Sequence, residues 1–377
     1  MELRSQNMNP TRVHPEENQD QIATVPLFTP YKLRGLTFRN RIVVSPMCQY
    51  SSHDGFANDW HLVHLGQFAI GGAALVLAEA TAIEARGRIT PQDLGIYKDE
   101  HIPMLARIVT FIREQGAIAG MQLSHAGRKA STYRPWSGHG KIPAQHGGWQ
   151  TVAPSAEAFS DTYPVPAALT HRGIAEIVQN FRRGAERALS AGFQVLEIHA
   201  AHGYLLHEFL SPLSNKREDE YGGSLQNRLR FLLEVCDAVR KAMPENLPLL
   251  VRISATDWAE GGLTGEDAVE IASALSKHGV DLIDTSTGGN VPNPIIPVGP
   301  GYQVPFAEDI RHKAHIPTGV VGLIIHASQA NKILEDKQAD MIFLARELLR
   351  DPHWPLQAAR KLHYDITWPD QYLRARL

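Results

Sequence analysis

From Arg41 onward the chain repeats one unit eight times: a short apolar run rich in β-branched residues, followed by a longer amphipathic stretch. The apolar runs begin at Ile42, Ala73, Ile118, Phe193, Leu249, Val280, Val320 (VVGLI) and Met341. The stretches between and after them, 59–70, 101–115, 172–190, 225–243, 265–278, 305–314, 327–337 and 352–363, carry helical periodicity. Strand–helix alternation of this kind builds a parallel sheet, and eight units close it into a (β/α)8 TIM barrel, an α/β fold in one domain. Gly71, Gly116, Gly192 and Gly279 stand where helix C-caps are expected. A doubly wound sheet would call for a Gly-x-Gly-x-x-Gly turn after a strand, and none is found. The barrel is expected over residues 26–365, with residues 1–25 as a flexible N-terminal tail and 366–377 as a C-terminal tail.

In a barrel of this type the active site forms at the C-terminal ends of the strands. Those ends carry Ser45, Pro46, Met47 and Cys48; Ala80; Gln122 and His125; His199 and His202; Arg252; Thr287 to Gly289; Gly322; and Ala345 with Arg346. The fourth end is the most informative. Within EIHAAHGYLLHEFL, His199, His202 and Tyr204 offer two imidazoles and a phenol to one mouth. Imidazole N–H groups stabilise an oxygen that gains negative charge, and a phenol can deliver a proton to a neighbouring carbon. Two other readings stand beside this one: ordinary loop histidines, and a metal pair completed by His207 and Glu208. The i, i+3 spacing of the histidines departs from the i, i+4 spacing of the zinc-protease helix. At the ends of the seventh and eighth strands, where many barrels hold a phosphate, Gly322 and Arg346 supply backbone N–H groups and a guanidinium.

Composition limits the partners. A formal charge of −3 over 377 residues gives no basic surface for nucleic acid. No apolar run approaches the roughly 18 residues of a membrane span. Two cysteines, Cys48 and Cys236, make no disulfide framework and point to a reducing, cytoplasmic setting. The first 25 residues lack an apolar signal core and carry Glu2, Glu16, Glu17 and Asp20, unlike a transit peptide. Cys236, inside RFLLEVCDAVRKAM, reads as core.

Several longer motifs occur together: SPMCQY from Ser45, LSHAGRKA from Leu123, RPWSG from Arg134, HAAHGY with NKREDEYGGS, PGYQVPFAE from Pro300 and RELLRDP from Arg346. In these the chain resembles the old yellow enzymes, specifically the thermophilic-like or xenobiotic-reductase subclass, from about Pro26 to the C-terminus. The resemblance implies noncovalent FMN and NAD(P)H as a transient hydride donor, NADPH being favoured. It places Ser45, Pro46, Met47 and Cys48 along the flavin edge, Ala80 and Gln122 near the pyrimidine, and Arg252 at N1 and the ribityl chain. Gly322, Leu323, Ala345 and Arg346 would hold the phosphate, with Ala345 where many relatives carry glycine, so that its methyl is expected to crowd the turn.

For the substrate, a small activated alkene, the resemblance implies that His199 and His202 bind its carbonyl or nitro oxygen. Hydride would pass from flavin N5 to the β-carbon, Tyr204 would protonate the α-carbon, and Tyr50 would line the pocket. Cys48 would touch the flavin and tune its potential. Arg374, in the C-terminal tail, would reach a neighbouring subunit's substrate site in a homodimer or homotetramer. Three rivals share parts of this picture. A dienoyl-CoA reductase-like enzyme would need a cysteine cluster and a further domain. A flavin-dependent tRNA reductase would need a basic face. A flavin-binding barrel with a stress-related scaffold role would not need His199, His202 and Tyr204 together.

Overall fold

A computed structural model describes residues 25–376, so most of the segment read as an N-terminal tail lies outside the described residues. An antiparallel hairpin, β1 (Tyr31–Leu33) and β2 (Leu36–Phe38), comes first. The barrel strands follow: β3 (Ile42–Val44), β4 (Leu75–Ala82), β5 (Ile118–Ser124), β8 (Val195–Ala200), β9 (Leu249–Ser254), β10 (Leu282–Ser286), β11 (Thr318–Val320) and β12 (Met341–Leu344). Each pairs in parallel with its neighbours, and β12 returns to β3, which closes the barrel. A small parallel pair, β6 (Val152–Ala153) and β7 (Ala167–Ala168), lies outside it.

Strands of this kind read as continuous apolar runs because both faces are buried. Outward residues such as Val76, Ala119, Leu196, Val251 and Ile283 form the large core shared with the helices. Inward residues, Val43, Leu75, Leu77, Val195, Leu250, Leu282, Met341 and Phe343, form a separate core inside the barrel. Leu33 and Phe38 of the hairpin join that inner core, so the hairpin plugs the N-terminal end of the barrel. Helix starts are fixed by Asn58, Thr170, Ser224 and Thr264, whose side chains accept hydrogen bonds from first-turn N–H groups.

Two local expectations need correction. The seventh strand was placed at Val320 and run to Ile324, but it spans Thr318–Val320. Gly319 lies against the Phe343 ring inside the barrel, and at Gly322 a φ of +129° takes the chain out of extended conformation. Gly71 does not supply the left-handed cap: its φ is −69°, and Gly72, at +100°, does so. Gly71 is required for a different reason, since a Cβ there would overlap the Pro352 carbonyl. Gly116, Gly192 and Gly279 do adopt positive φ. Ala345 stands at φ −116° and ψ −98°, outside both the helical and the extended regions.

Candidate active site

Above the apolar inner core, the inward side chains of the barrel become polar. Strand alternation puts Val195, Glu197 and His199 on one face of β8, and the same alternation turns Arg252 and Ser254 of β9 and Asp284 and Ser286 of β10 inward. Gln122 donates from Nε2 to Glu197 Oε1 at 2.8 Å. Arg252 Nε lies 3.1 Å from Asp284 Oδ2, both side chains being buried. One guanidinium thus faces two carboxylates. Burial and the nearby Asp284 charge push the Glu197 carboxyl well above the usual range, and burial raises Asp284 as well.

The next level carries the trio. His199 lies edge-on to His202, with ring centroids 5.2 Å apart, and edge-on to Tyr204 at 4.9 Å. The backbone N–H of Ala201 donates to His199 Nδ1 at 3.2 Å, which makes Nδ1 an acceptor and leaves the proton on Nε2. His202 sits at a φ of +59°, in the left-handed region. Its N–H donates to Ser254 Oγ at 2.9 Å, and Ser254 Oγ in turn donates to the Gly288 carbonyl. Its Nε2 lies 2.8 Å from Ser286 Oγ.

Burial, reinforced by the Arg252 charge, holds both imidazoles well below the ordinary histidine range. They are neutral N–H donors at physiological pH. Burial also pushes the Tyr204 phenol well above its ordinary value, so it keeps its proton. His207 and Glu208 are committed elsewhere: His207 accepts from the Gly203 N–H and pairs with Asp257 at 3.0 Å, while Glu208 accepts from the Arg128 N–H. They do not converge with His199 and His202 as metal ligands. Among the described residues the one cluster with such geometry is the surface group His171, Asp219 and Glu220.

Ser45 to Tyr50 follow β3 at the same end. Ser45 N–H donates to the Leu344 carbonyl of β12, and its buried Oγ has no hydrogen-bond partner among the described residues. Glu79 of β4 accepts from the Gln49 N–H at 2.8 Å and lies 3.4 Å from His61 Nε2, which holds the loop down. Burial pushes the Cys48 thiol up, so it is held protonated. Tyr50, at a φ of 48°, packs edge-on to Trp136. Cys236 is fully buried, as expected of core.

Beside these groups a cavity of about 220 Å³ is bounded by Arg252, Gln303, Gly322, Leu323, Ala345 and Arg346 among others. At Gly322 a Cβ would lie 2.9 Å from Gln303 Nε2 and 3.1 Å from the Tyr302 ring, so both the φ and the space there require glycine. The N–H groups of Gly322, Leu323 and Ala345 donate to no group among the described residues. Arg346 makes no ion pair among them either; the acid beside it, Glu347, pairs with Arg350. The cavity therefore offers unpaired N–H donors and an unpaired guanidinium, a set suited to an anion.

Arg374, expected to reach a neighbouring subunit's site, lies away from the site of its own chain. Its segment, the short 3-10 turn Asp370–Ala375, runs beside Arg39, Asn40 and Gly72 at the opposite end of the barrel. Sequence reasoning missed Glu197, Asp284, Ser254, Ser286 and Gln303. The signal was present, since a charged residue two positions before a strand-end histidine must share its face.

Comparison with known proteins agrees with this geometry. Residues 26–365 match the NADH:flavin oxidoreductase / NADH oxidase family. The chain is 50% identical over 350 residues to the NADPH dehydrogenase of Geobacillus sp. (strain WCH70), covering 92% of this chain and 98% of that protein. Among solved structures, morphinone reductase superposes with a TM-score of 0.74 at 28% identity over 92% of both chains. The old yellow enzyme homologue of Zymomonas mobilis gives 0.73 at 25% identity, over 91% of this chain and 94% of that one. A 2-naphthoyl-CoA reductase gives 0.81 at 26% identity over 89% of this chain, which spans about half (52%) of that longer protein.

Proposed function

The chain belongs to the NADH:flavin oxidoreductase / NADH oxidase family, as an FMN-dependent NADPH oxidoreductase, and we propose that it reduces activated C=C bonds in α,β-unsaturated carbonyl or nitro compounds. The observation that carries this reading is the convergence of two neutral imidazoles and one protonated phenol at a single mouth. The residues present fit FMN. Ser45 Oγ is a buried polar atom without a hydrogen-bond partner among the described residues, and the Gly322 cavity presents unpaired donors where a phosphate would lie. Ser45, Pro46, Met47, Cys48, Ala80, Gln122 and Arg252 would surround the ring, and Gly322, Leu323, Ala345 and Arg346 would hold the phosphate. When bound, FMN supplies the redox chemistry, accepting hydride from NADPH and passing it to the alkene.

The side chains do the rest. His199, with its proton fixed on Nε2, donates to the substrate oxygen, and His202 donates a second hydrogen bond from the imidazole edge not engaged by Ser286. Charge that builds on the oxygen as the β-carbon is reduced meets two preorganised donors in a site of low dielectric. Tyr204 then gives its proton to the α-carbon. Because both imidazoles are neutral and the phenol is protonated near neutral pH, no histidine inflection near pH 6.5 is expected in this step.

Tyr204→Phe tests the assignment. Loss of a general acid should slow reduction of cyclohex-2-enone by about 10²-fold or more while leaving flavin reduction by NADPH close to the wild-type rate. Equal slowing of the two half-reactions would remove Tyr204 from the proton-donor role.

A further inference from the structure

The motif LSHAGRKA contains a lysine that the mechanism above does not use. We propose that Lys129 is a positioning residue, whose ammonium bridges the carbonyl oxygens of His202 and Gly289 and thereby fixes the turn that aims the His202 imidazole at the substrate. The inference rests on the reading of His202 as a substrate-oxygen donor.

Lys129 Nζ donates to His202 O at 2.8 Å and to Gly289 O at 2.9 Å. These carbonyls belong to two turns that touch backbone to backbone. A Cβ on Gly289 would lie 2.6 Å from His202 Cα, and one on Gly203 would overlap Gly289 O. All three residues have positive φ: +59° at His202, +71° at Gly203 and +92° at Gly289. Two carbonyl oxygens turned toward one point repel each other, and an ammonium placed between them converts that repulsion into two charge-assisted hydrogen bonds. A compact point charge with three donors suits this task better than a planar guanidinium. The neighbouring Arg128 reinforces the same link, donating from Nη2 to the Asn290 carbonyl at 2.8 Å.

The ammonium is enclosed by aromatic faces, 4.5 Å from the Phe159 centroid and 5.3 Å from that of Tyr204. The other charged or titratable groups around it are Glu208 on the following helix, Arg128 beside it, and His199 and His202. Burial lowers Lys129 to about 8, despite the opposing pull of Glu208, while burial raises Glu208 to about 8. As pH rises through this range the bridge loses its proton and its charge. The His202 turn is then free to relax, and a displacement near 1 Å at a reacting centre can cost about 10²-fold in rate.

The test uses the FMN-loaded enzyme, reduced in advance and mixed anaerobically with cyclohex-2-enone between pH 6 and pH 9.5. The wild-type rate should fall above about pH 8, since Tyr204 and the histidines do not titrate there. Lys129→Met should lose roughly ten- to a hundredfold at pH 7, the loss expected for a charge-assisted hydrogen bond, and should lack the alkaline fall. Lys129→Arg should recover much of the rate and carry the fall to higher pH.

A Lys129→Met enzyme at the wild-type rate would overturn the proposal. So would an alkaline fall unchanged in Lys129→Arg, which would assign it to Glu208; this arm decides the matter even if Lys129→Met does not fold. A parallel His202→Ala variant separates the two levels of the reading. If His202→Ala is slow and Lys129→Met is not, only the bridge fails; if His202→Ala is as fast as wild type, the substrate-oxygen role itself fails.

Discussion

Replacing His199 and His202 together with alanine is expected to slow enone reduction by at least the 10²- to 10³-fold that loss of one oxyanion donor costs. On the proposed reading, in which both imidazoles serve one oxygen, the double variant should fall short of the product of two such factors. The same enzyme should also bind phenol-type inhibitors weakly, since a phenolate oxygen would occupy the same two donors. Its flavin content should be close to that of wild type, because neither imidazole lines the Gly322 cavity proposed to hold the phosphate. Stopped-flow reoxidation of the reduced enzyme by enone measures the first effect, and a flavin-to-protein absorbance ratio measures the last. An enzyme that lost its flavin and its activity together would show the histidines to be structural.

Arg252→Ala should produce the largest stability effect. Removing one partner of a buried ion pair costs about 3–5 kcal/mol, because the other charge is left without compensation. The sign of the pH dependence follows. Burial raises the folded values of Glu197 and Asp284, so each weakens the fold as pH rises from the ordinary carboxylate range through its raised value. Without Arg252 both values rise further, so the variant goes on losing stability above the pH at which the wild type has levelled off. The melting-temperature gap between variant and wild type, both freed of flavin, should therefore be small near pH 4 and reach roughly 4–6 °C at pH 8. A gap independent of pH would show that Arg252 does not offset these carboxylates. With FMN restored, the variant should also bind the cofactor more weakly if, as proposed, the Arg252 guanidinium faces the ring.

The barrel was legible because its strands are buried on both faces and its helices on one, which writes two different periods into the chain. Runs such as IAGMQLS and LLVRIS could scarcely be anything else, and the helix at Asp59–Ile70 has the bounds expected of it. The hairpin Tyr31–Phe38 was not legible: each strand has three residues, and its plugging role depends on a barrel end built by residues far along the chain. The seventh strand was set too late because Val321, Leu323 and Ile324 are as apolar as a strand, while the left-handed Gly322 and Leu323 that end it leave no mark on hydropathy.

The trio His199, His202 and Tyr204 could be read from one short stretch. What aims it could not. Ser254, Ser286, Gly289 and Lys129 reach His202 across separations of 52 to 87 residues, and the contacts exist only once the strands are in register. Glu197 and Asp284 were visible as charges inside apolar runs, but their shared guanidinium appears only when β8, β9 and β10 lie side by side.

The most direct test of the central claim is an anaerobic double-mixing experiment on the purified protein loaded with FMN. NADPH should bleach the flavin absorption band, and a second mixing with cyclohex-2-enone should restore it, yielding cyclohexanone in an amount equal to the flavin reoxidised. Protein that takes up no FMN, or reduced flavin that the enone does not reoxidise while oxygen does, would contradict it.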